Sequence, residues 1–249
     1  MHLLFEQTER PSLPIIVMLH GGGLSSWSTH PIAKLMENDY QVITPIIDGH
    51  GSDYGETFIS IEDSARKLIK YIDEHHSGRI FALCGLSIGA QIVLETLSQR
   101  RAIAQNAIIE SALVMPIRLV ELLATPTYAL CYGLIRQRWF SKMQAKELLI
   151  PENMFEDYFC DIAKMSKQSL INIAKSNAAY SIKGTLTEAE CNVLILAGSK
   201  ERSMMLKSAE KIHAALKTSE LEILPDMKHG ELSLRNPKRY TNLFSSHFS

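Results

Sequence analysis

FALCGLSIGAQIVL, Phe81 to Leu94, changes its period partway along. Four apolar residues lead into Gly-Leu-Ser-Ile-Gly, and apolar residues then recur at helical spacing. Packing does not ask for a serine there, because its hydroxyl is polar and the two glycines weaken the elements they join. Either the stretch is an ordinary glycine turn, or the turn is tight so that Ser87 can be presented. A G-x-S-x-G turn between a strand and a helix places Ser87 Oγ above the sheet edge, at the helix N-terminus. Gly85 and Gly89 then have a physical reason, because a Cβ would clash where the turn is sharp and the helix crosses closely.

The surrounding chain supplies the sheet that such a turn needs. Short apolar runs at Ile15–His20, Gln41–Ile46, Arg79–Cys84, Asn106–Ile109, Asn192–Ala197 and Leu221–Leu224 alternate with amphipathic patterns. Most lack polar alternation, as strands covered on both faces do. The expectation is an α/β protein: a mostly parallel central sheet with helices on both faces. Ser60 reads as the N-cap of a helix whose inner face carries Leu68, Ile69 and Ile72. Residues 111–186 show no strand pattern, only helical pieces. There Pro116, Pro126 and Pro151 sit where helices could begin, and Met154, Tyr158 and Ile162 repeat every four residues, as do Leu130 and Leu134. The division expected is a core of residues 1–110 and 187–249 with a helical cap at 111–186. That cap would lie over the carboxyl ends of the strands, where such sheets bind ligands.

A serine hydroxyl needs a base to become a nucleophile. Of nine histidines, His2 and His247 lie near the ends, His75 and His76 close a helix, His213 reads as helix surface and His30 as a possible cap. His229 lies in PDMKHGEL, a polar loop between the last strand and the final helix. The base must be oriented by a carboxylate. Glu201, after NVLILAG, and Glu110, at the end of NAIIE, both qualify by position. His20-Gly21-Gly22-Gly23 closes the first strand with bare N–H groups that can approach an oxyanion, the expected donors being those of Gly22 and Ile88.

HGGG, Asp48-Gly-His-Gly51, the G-L-S-I-G turn, an acid and a histidine occur in the order found in α/β-hydrolases, which the chain resembles from about Pro14 to its end. The resemblance implies Ser87 as nucleophile, His229 as base and Glu201, three residues past Gly198, as the orienting acid. The chain departs from the family in having Glu where Asp is usual and Leu86 where His often precedes the serine. The Asp48–Gly51 loop is expected to be structural. The implied activity is hydrolysis of a small-molecule carboxylic ester, with no metal and no organic cofactor. Met115, Met143, Met154, Met165, Trp139, Phe140 and Tyr128 are candidates for an apolar acyl pocket. The same residues could serve thioester hydrolysis, a lyase, carbon–carbon cleavage or a ligand receptor.

The 249 residues are 46% apolar and 21% charged, with a formal net charge of −1. That balance gives no overall electrostatic footprint for nucleic acid or anionic lipid. Cys84, Cys131, Cys160 and Cys191 lack metal-ligand spacing and read as buried thiols of a reducing compartment. MHLLFEQTER carries Glu6 and no long apolar core, so no secretory leader is expected. No run reaches the roughly 18 apolar residues of a membrane span. The expected location is cytoplasmic.

Overall fold

The computed structural model describes residues 12–248, so the stretch read for a leader lies outside it. Six strands form one sheet: β1 (Ile15–Leu19), β2 (Gln41–Ile43), β3 (Ile80–Leu86), β4 (Ala104–Glu110), β5 (Asn192–Gly198) and β6 (Ser219–Leu224). Their order is β2-β1-β3-β4-β5-β6, and every neighbouring pair is parallel. This is the α/β-hydrolase fold. All six expected strands are present, with shifted ends. β2 stops at Ile43, short of Ile46, where Pro45 cannot donate to a ladder.

The ten α-helices among the described residues are α1 (His30–Met36), α2 (Ile61–His75), α3 (Ile88–Gln99), α4 (Arg118–Cys131), α5 (Arg138–Glu147), α6 (Phe155–Lys164), α7 (Lys167–Ala179), α8 (Ser203–Ala215), α9 (Glu231–Arg235) and α10 (Pro237–Phe248). The sheet separates two apolar clusters with period two. Val17, Leu19, Leu83, Ala107, Ile109, Val193 and Ile195 face α2, α3 and α8. Ile16, Met18, Ala82, Cys84, Ile108, Leu194 and Leu196 face α1 and α10. Both faces are covered, which is why the strands read as continuous apolar runs. The edge strand β6 differs: Glu220 and Glu222 stand along it, and charges there discourage pairing with another chain.

Ser60 caps α2 by accepting from Asp63 N–H at 3.1 Å, and Leu68 and Ile72 are wholly buried on its inner face, with Ile69 partly so. Helix α3 is buried from Ile88 to Leu97 because it lies on the sheet and is covered by α2. A Cβ on Gly89 would lie 2.6 Å from the carbonyl oxygens of Leu19 and His20. That contact is to backbone, so Gly89→Ala forces α3 away from β1. We expect Gly89→Ala to cost about 1–3 kcal/mol in urea unfolding, as overpacking does. An unchanged midpoint would show that α3 does not depend on this approach.

Between β4 and β5 the described chain carries α4 to α7 and no strand. These helices share a third apolar cluster with the loop after β1 and the last residue of β3, in which Leu24 and Leu86 join Tyr158, Ile162 and Leu170. Tyr158 and Ile162 are buried as their spacing predicts, with Met154 partly so. Three expectations fail in this segment. Pro126 lies inside α4 rather than at its start. The carbonyl it leaves unbonded, that of Leu122, lies on an exposed face where water can replace the lost hydrogen bond. Leu130 is 86% exposed and shares no buried face with Leu134. Cys131 and Cys160 are also exposed, while Cys84 and Cys191 are buried. Helical spacing tells which residues share a face, not what that face meets.

Candidate active site

Ser87 stands between β3 and α3 with φ 55° and ψ −115°. A non-glycine residue held there costs about 1–3 kcal/mol and persists only where its surroundings enforce it. The enforcement is visible. Ser87 N–H donates to Glu110 O at 2.9 Å, continuing the β3–β4 ladder, while Ser87 O already accepts from Gln91 N–H in the helix. Gly85 passes so close to the helix that a Cβ there would lie 2.5 Å from the Gly89 carbonyl. The hydroxyl thus sits at the N-terminus of a 12-residue helix, whose dipole favours negative charge.

Glu201 gathers three donors. Its Oε2 accepts from His229 Nδ1 at 2.8 Å, and its Oε1 accepts from Gly198 N–H and the Ser111 hydroxyl, each at 2.8 Å. Burial pushes this carboxyl up. The His229 ring, the Gly198 amide and the Ser111 hydroxyl outweigh that and hold it below its ordinary value. A carboxylate on Nδ1 fixes the imidazole with its proton there and leaves Nε2 as an acceptor. The His229 side chain is 43% exposed. Among the described residues no hydrogen bond joins His229 to the Ser87 hydroxyl, but their neighbours touch. Leu86, before the serine, meets Gly230, after the histidine; a Cβ on Gly230 would lie 3.0 Å from Leu86 Cδ1. Leu86 also packs against Gly21 and so spaces the serine turn from both flanking loops.

Gly22 adjoins Ile88, since a Cβ on it would lie 3.6 Å from Cγ2 of both Ile88 and Ile173. The HGGG loop is held by His20, wholly buried, whose Nδ1 donates to Gly21 O at 2.8 Å and whose Nε2 accepts from Ile47 N–H at 3.1 Å. Burial, helped by nearby His50, pushes His20 down to about 3, so the ring is a neutral strut. Asp48 pairs with Lys67, and His50 is likewise buried and pushed down to about 4. Helices α6 and α7 reach this loop through Ile162 against Gly23 and Ile173 against Gly22. Trp27 Nε1 donates to Asp161 on α6 at 2.9 Å. Of the residues named for an acyl pocket, Met165 is buried and Tyr128, Phe140 and Met154 pack on the third cluster. Trp139 and Met143, 63% and 53% exposed, point to solvent instead.

Ser111 is the site residue that sequence reading missed. It is buried, has φ 55°, and binds both Glu201 and, at 3.4 Å, Gly230 N–H. The available signal was a small polar residue directly after a strand that ends level with the serine turn. Glu110, the rival acid, does not reach His229 by a hydrogen bond. It is buried behind the turn, accepting from Ser233 N–H at 3.3 Å, with its second oxygen unpartnered. Among the described residues no group of His, Cys, Asp and Glu is placed to hold a metal ion.

Burial raises Glu110 from 4.5 to about 7. A raised carboxyl binds its proton more tightly in the folded chain, so stability is unaffected below pH 4 and falls between pH 4.5 and 7. The cost at neutral pH is on the order of 3 kcal/mol. The buried histidines act oppositely, losing stability as pH falls below 6.5. Comparison with Glu110→Gln isolates the carboxyl. The variant should gain melting temperature relative to the wild type as pH rises from 5 to 8, and a constant difference would contradict a Glu110 carboxyl raised by burial.

The sequence model of the alpha/beta hydrolase family matches residues 16–242. An uncharacterized hydrolase of Bacillus subtilis, YugF, is 22% identical over all of this chain and 93% of its own length. Among solved structures, an esterase from Exiguobacterium antarcticum superposes with TM-score 0.77 at 19% identity, over 94% of this chain and 91% of the other. An enol-lactonase from Burkholderia xenovorans superposes with TM-score 0.77 at 12% identity, over 96% and 93%. At such identities the likeness is one of fold.

Proposed function

Because the chain belongs to the alpha/beta hydrolase family, we propose that it is a serine hydrolase cleaving a carboxylic ester with an apolar acyl group. The observation that carries this reading is the His229–Glu201 hydrogen bond beside a strained serine at a helix N-terminus. In this reading His229 Nε2 takes the Ser87 proton as Oγ attacks the carbonyl carbon. The N–H groups of Gly22 and Ile88 receive the developing oxyanion, a contribution of about 3–4 kcal/mol per donor. His229 then gives its proton to the departing alcohol, leaving an acyl group on Ser87. Water enters and attacks the acyl carbon, losing a proton to the same nitrogen, which passes it to Ser87 Oγ as the acyl–oxygen bond breaks and the acid leaves. Glu201 keeps the imidazole oriented and stabilises its charged form without taking the proton. In this reading residues 111–186 form the cap, over a core made by the described residues of 12–110 and 187–248.

Ile88, Ile162 and Ile173 beside the glycine loop support an apolar acyl side. Each methylene buried is worth about 0.8 kcal/mol, so kcat/KM for p-nitrophenyl esters should rise from acetyl to butyryl by several-fold per carbon. A succinyl ester, with a charged end, should be turned over far more slowly. Equal rates for succinyl and butyryl would contradict the apolar acyl side. The nucleophile is tested separately, by mass spectrometry of the peptide modified by a fluorophosphonate, which should be the one containing Ser87.

A further inference from the structure

Helix α4 turns its apolar side outward. Leu119, Leu122, Leu123 and Leu130 are 66, 73, 49 and 86% exposed. At 3.6 residues per turn these four and Pro126 fall within one arc of roughly 100°, opposite buried Ala124 and half-buried Tyr128. The helix has only two charged residues, Arg118 and Glu121. Both α4 and α5 pack on the turn Tyr132–Arg136 that joins them. The outward side of α5 carries Trp139 and Met143 together with exposed Lys142 and Lys146, again within one arc.

Charge on this segment is uneven. From Arg118 to Leu148 there are five cations (Arg118, Arg136, Arg138, Lys142 and Lys146) against Glu121 and Glu147, in a chain whose total is −1. Arg138 is paired with Glu156, and Arg136 lies over the Tyr132 ring. Lys142 is exposed with its ammonium at the edge of α6, over the Phe155 ring, and Lys146 is exposed and shares the Trp139 arc. The overall balance therefore conceals an excess of positive charge in the segment that carries the solvent-facing leucine stripe.

We propose that the outward face of α4 and α5 docks on an anionic phospholipid surface. The leucines enter the acyl boundary, Trp139 sits at headgroup level, and Lys142 and Lys146 meet phosphates, as in helices that lie in an interface. With 14 residues α4 is about 21 Å long, too short to cross a bilayer core of about 30 Å. A two-fold contact with a second copy would bury the leucine stripe but would leave the cations of this segment facing like charges rather than acids. The face also lies one helix away from the site: α4 packs on α7, and Ile173 of α7 touches Gly22. The proposal goes beyond ester hydrolysis and stands without it.

Co-sedimentation of the full chain with phosphatidylglycerol-containing vesicles should show binding at low salt, and vesicles of phosphatidylcholine alone should bind far less. The emission of Trp139 should shift to the blue on binding, a shift missing in Trp139→Phe. Leu122→Gln with Leu130→Gln should weaken partitioning at least tenfold, and Lys142→Gln with Lys146→Gln by about 30-fold at low salt. These residues are exposed, so circular dichroism should be unchanged. Ser87→Ala should bind as the wild type does, which separates docking from catalysis. Absence of binding, or equal binding to both vesicle types, overturns the proposal. A dimer in sedimentation velocity that the two leucine substitutions dissolve also overturns it, in favour of a second copy.

Discussion

Ser87→Ala is expected to give a folded protein that neither hydrolyses p-nitrophenyl butyrate nor takes up a fluorophosphonate. Without Oγ no acyl-enzyme can form, and the oxyanion donors and His229 are left to act on water alone. In serine hydrolases a loss of this kind reaches about 10⁶ in kcat. Folding should not suffer, because the Ser87 backbone is held by Glu110 O and the turn of α3 rather than by its hydroxyl. Alanine keeps the same Cβ in the same strained conformation. A Ser87→Ala protein with wild-type turnover would end the serine hydrolase reading, whatever else the fold suggests.

The second large effect separates the two acids. Glu201→Gln keeps the shape of the carboxyl but can turn its NH₂ toward His229 Nδ1, which then becomes the acceptor and puts the ring proton on Nε2. That tautomer cannot take the serine proton, and the loss should be on the order of 10⁴ in kcat. The change should grow no smaller at saturating substrate, because orientation of the base matters in the transition state rather than in binding. Glu110→Gln leaves an amide oxygen for Ser233 N–H and removes a carboxyl whose second oxygen has no partner. Its kcat should stay within a few-fold of wild type, with the changed pH–stability profile as evidence that the substitution took effect. Glu110→Gln crippled beside an active Glu201→Gln would reverse the assignment.

The sheet was legible because each strand is covered on both sides, so the apolar runs needed no partner to be recognised. The serine turn was legible for a different reason: Gly85 and Gly89 mark a backbone approach too close for a Cβ without displacing the helix. Glu201 was singled out over Glu110 only by the resemblance, three residues past Gly198, and the structure puts it in hydrogen-bond contact with His229. Ser111 could not be singled out, because its role arises only where the ends of β4 and β5 bring it against Glu201 and the Gly230 amide. The orientation of α4 was equally hidden. Its leucine spacing is that of a helix packed on a core, and only the surroundings of Ala124 and Tyr128 show that the stripe faces away.

The close pass of Gly198 has a dynamic side. A Cβ there would fall 2.2 Å from Met227 O, and that same carbonyl accepts from Lys200 N–H at 2.9 Å. Backbone on the Glu201 turn is therefore bonded directly to backbone two residues before His229, and Asp226 N–H adds a second bond, to Ser199 Oγ. In the proposed mechanism this ties the orienting acid to its base through backbone, so a substitution in α4 to α7, which carry neither, is expected to alter substrate entry while leaving the Glu201–His229 hydrogen bond in place.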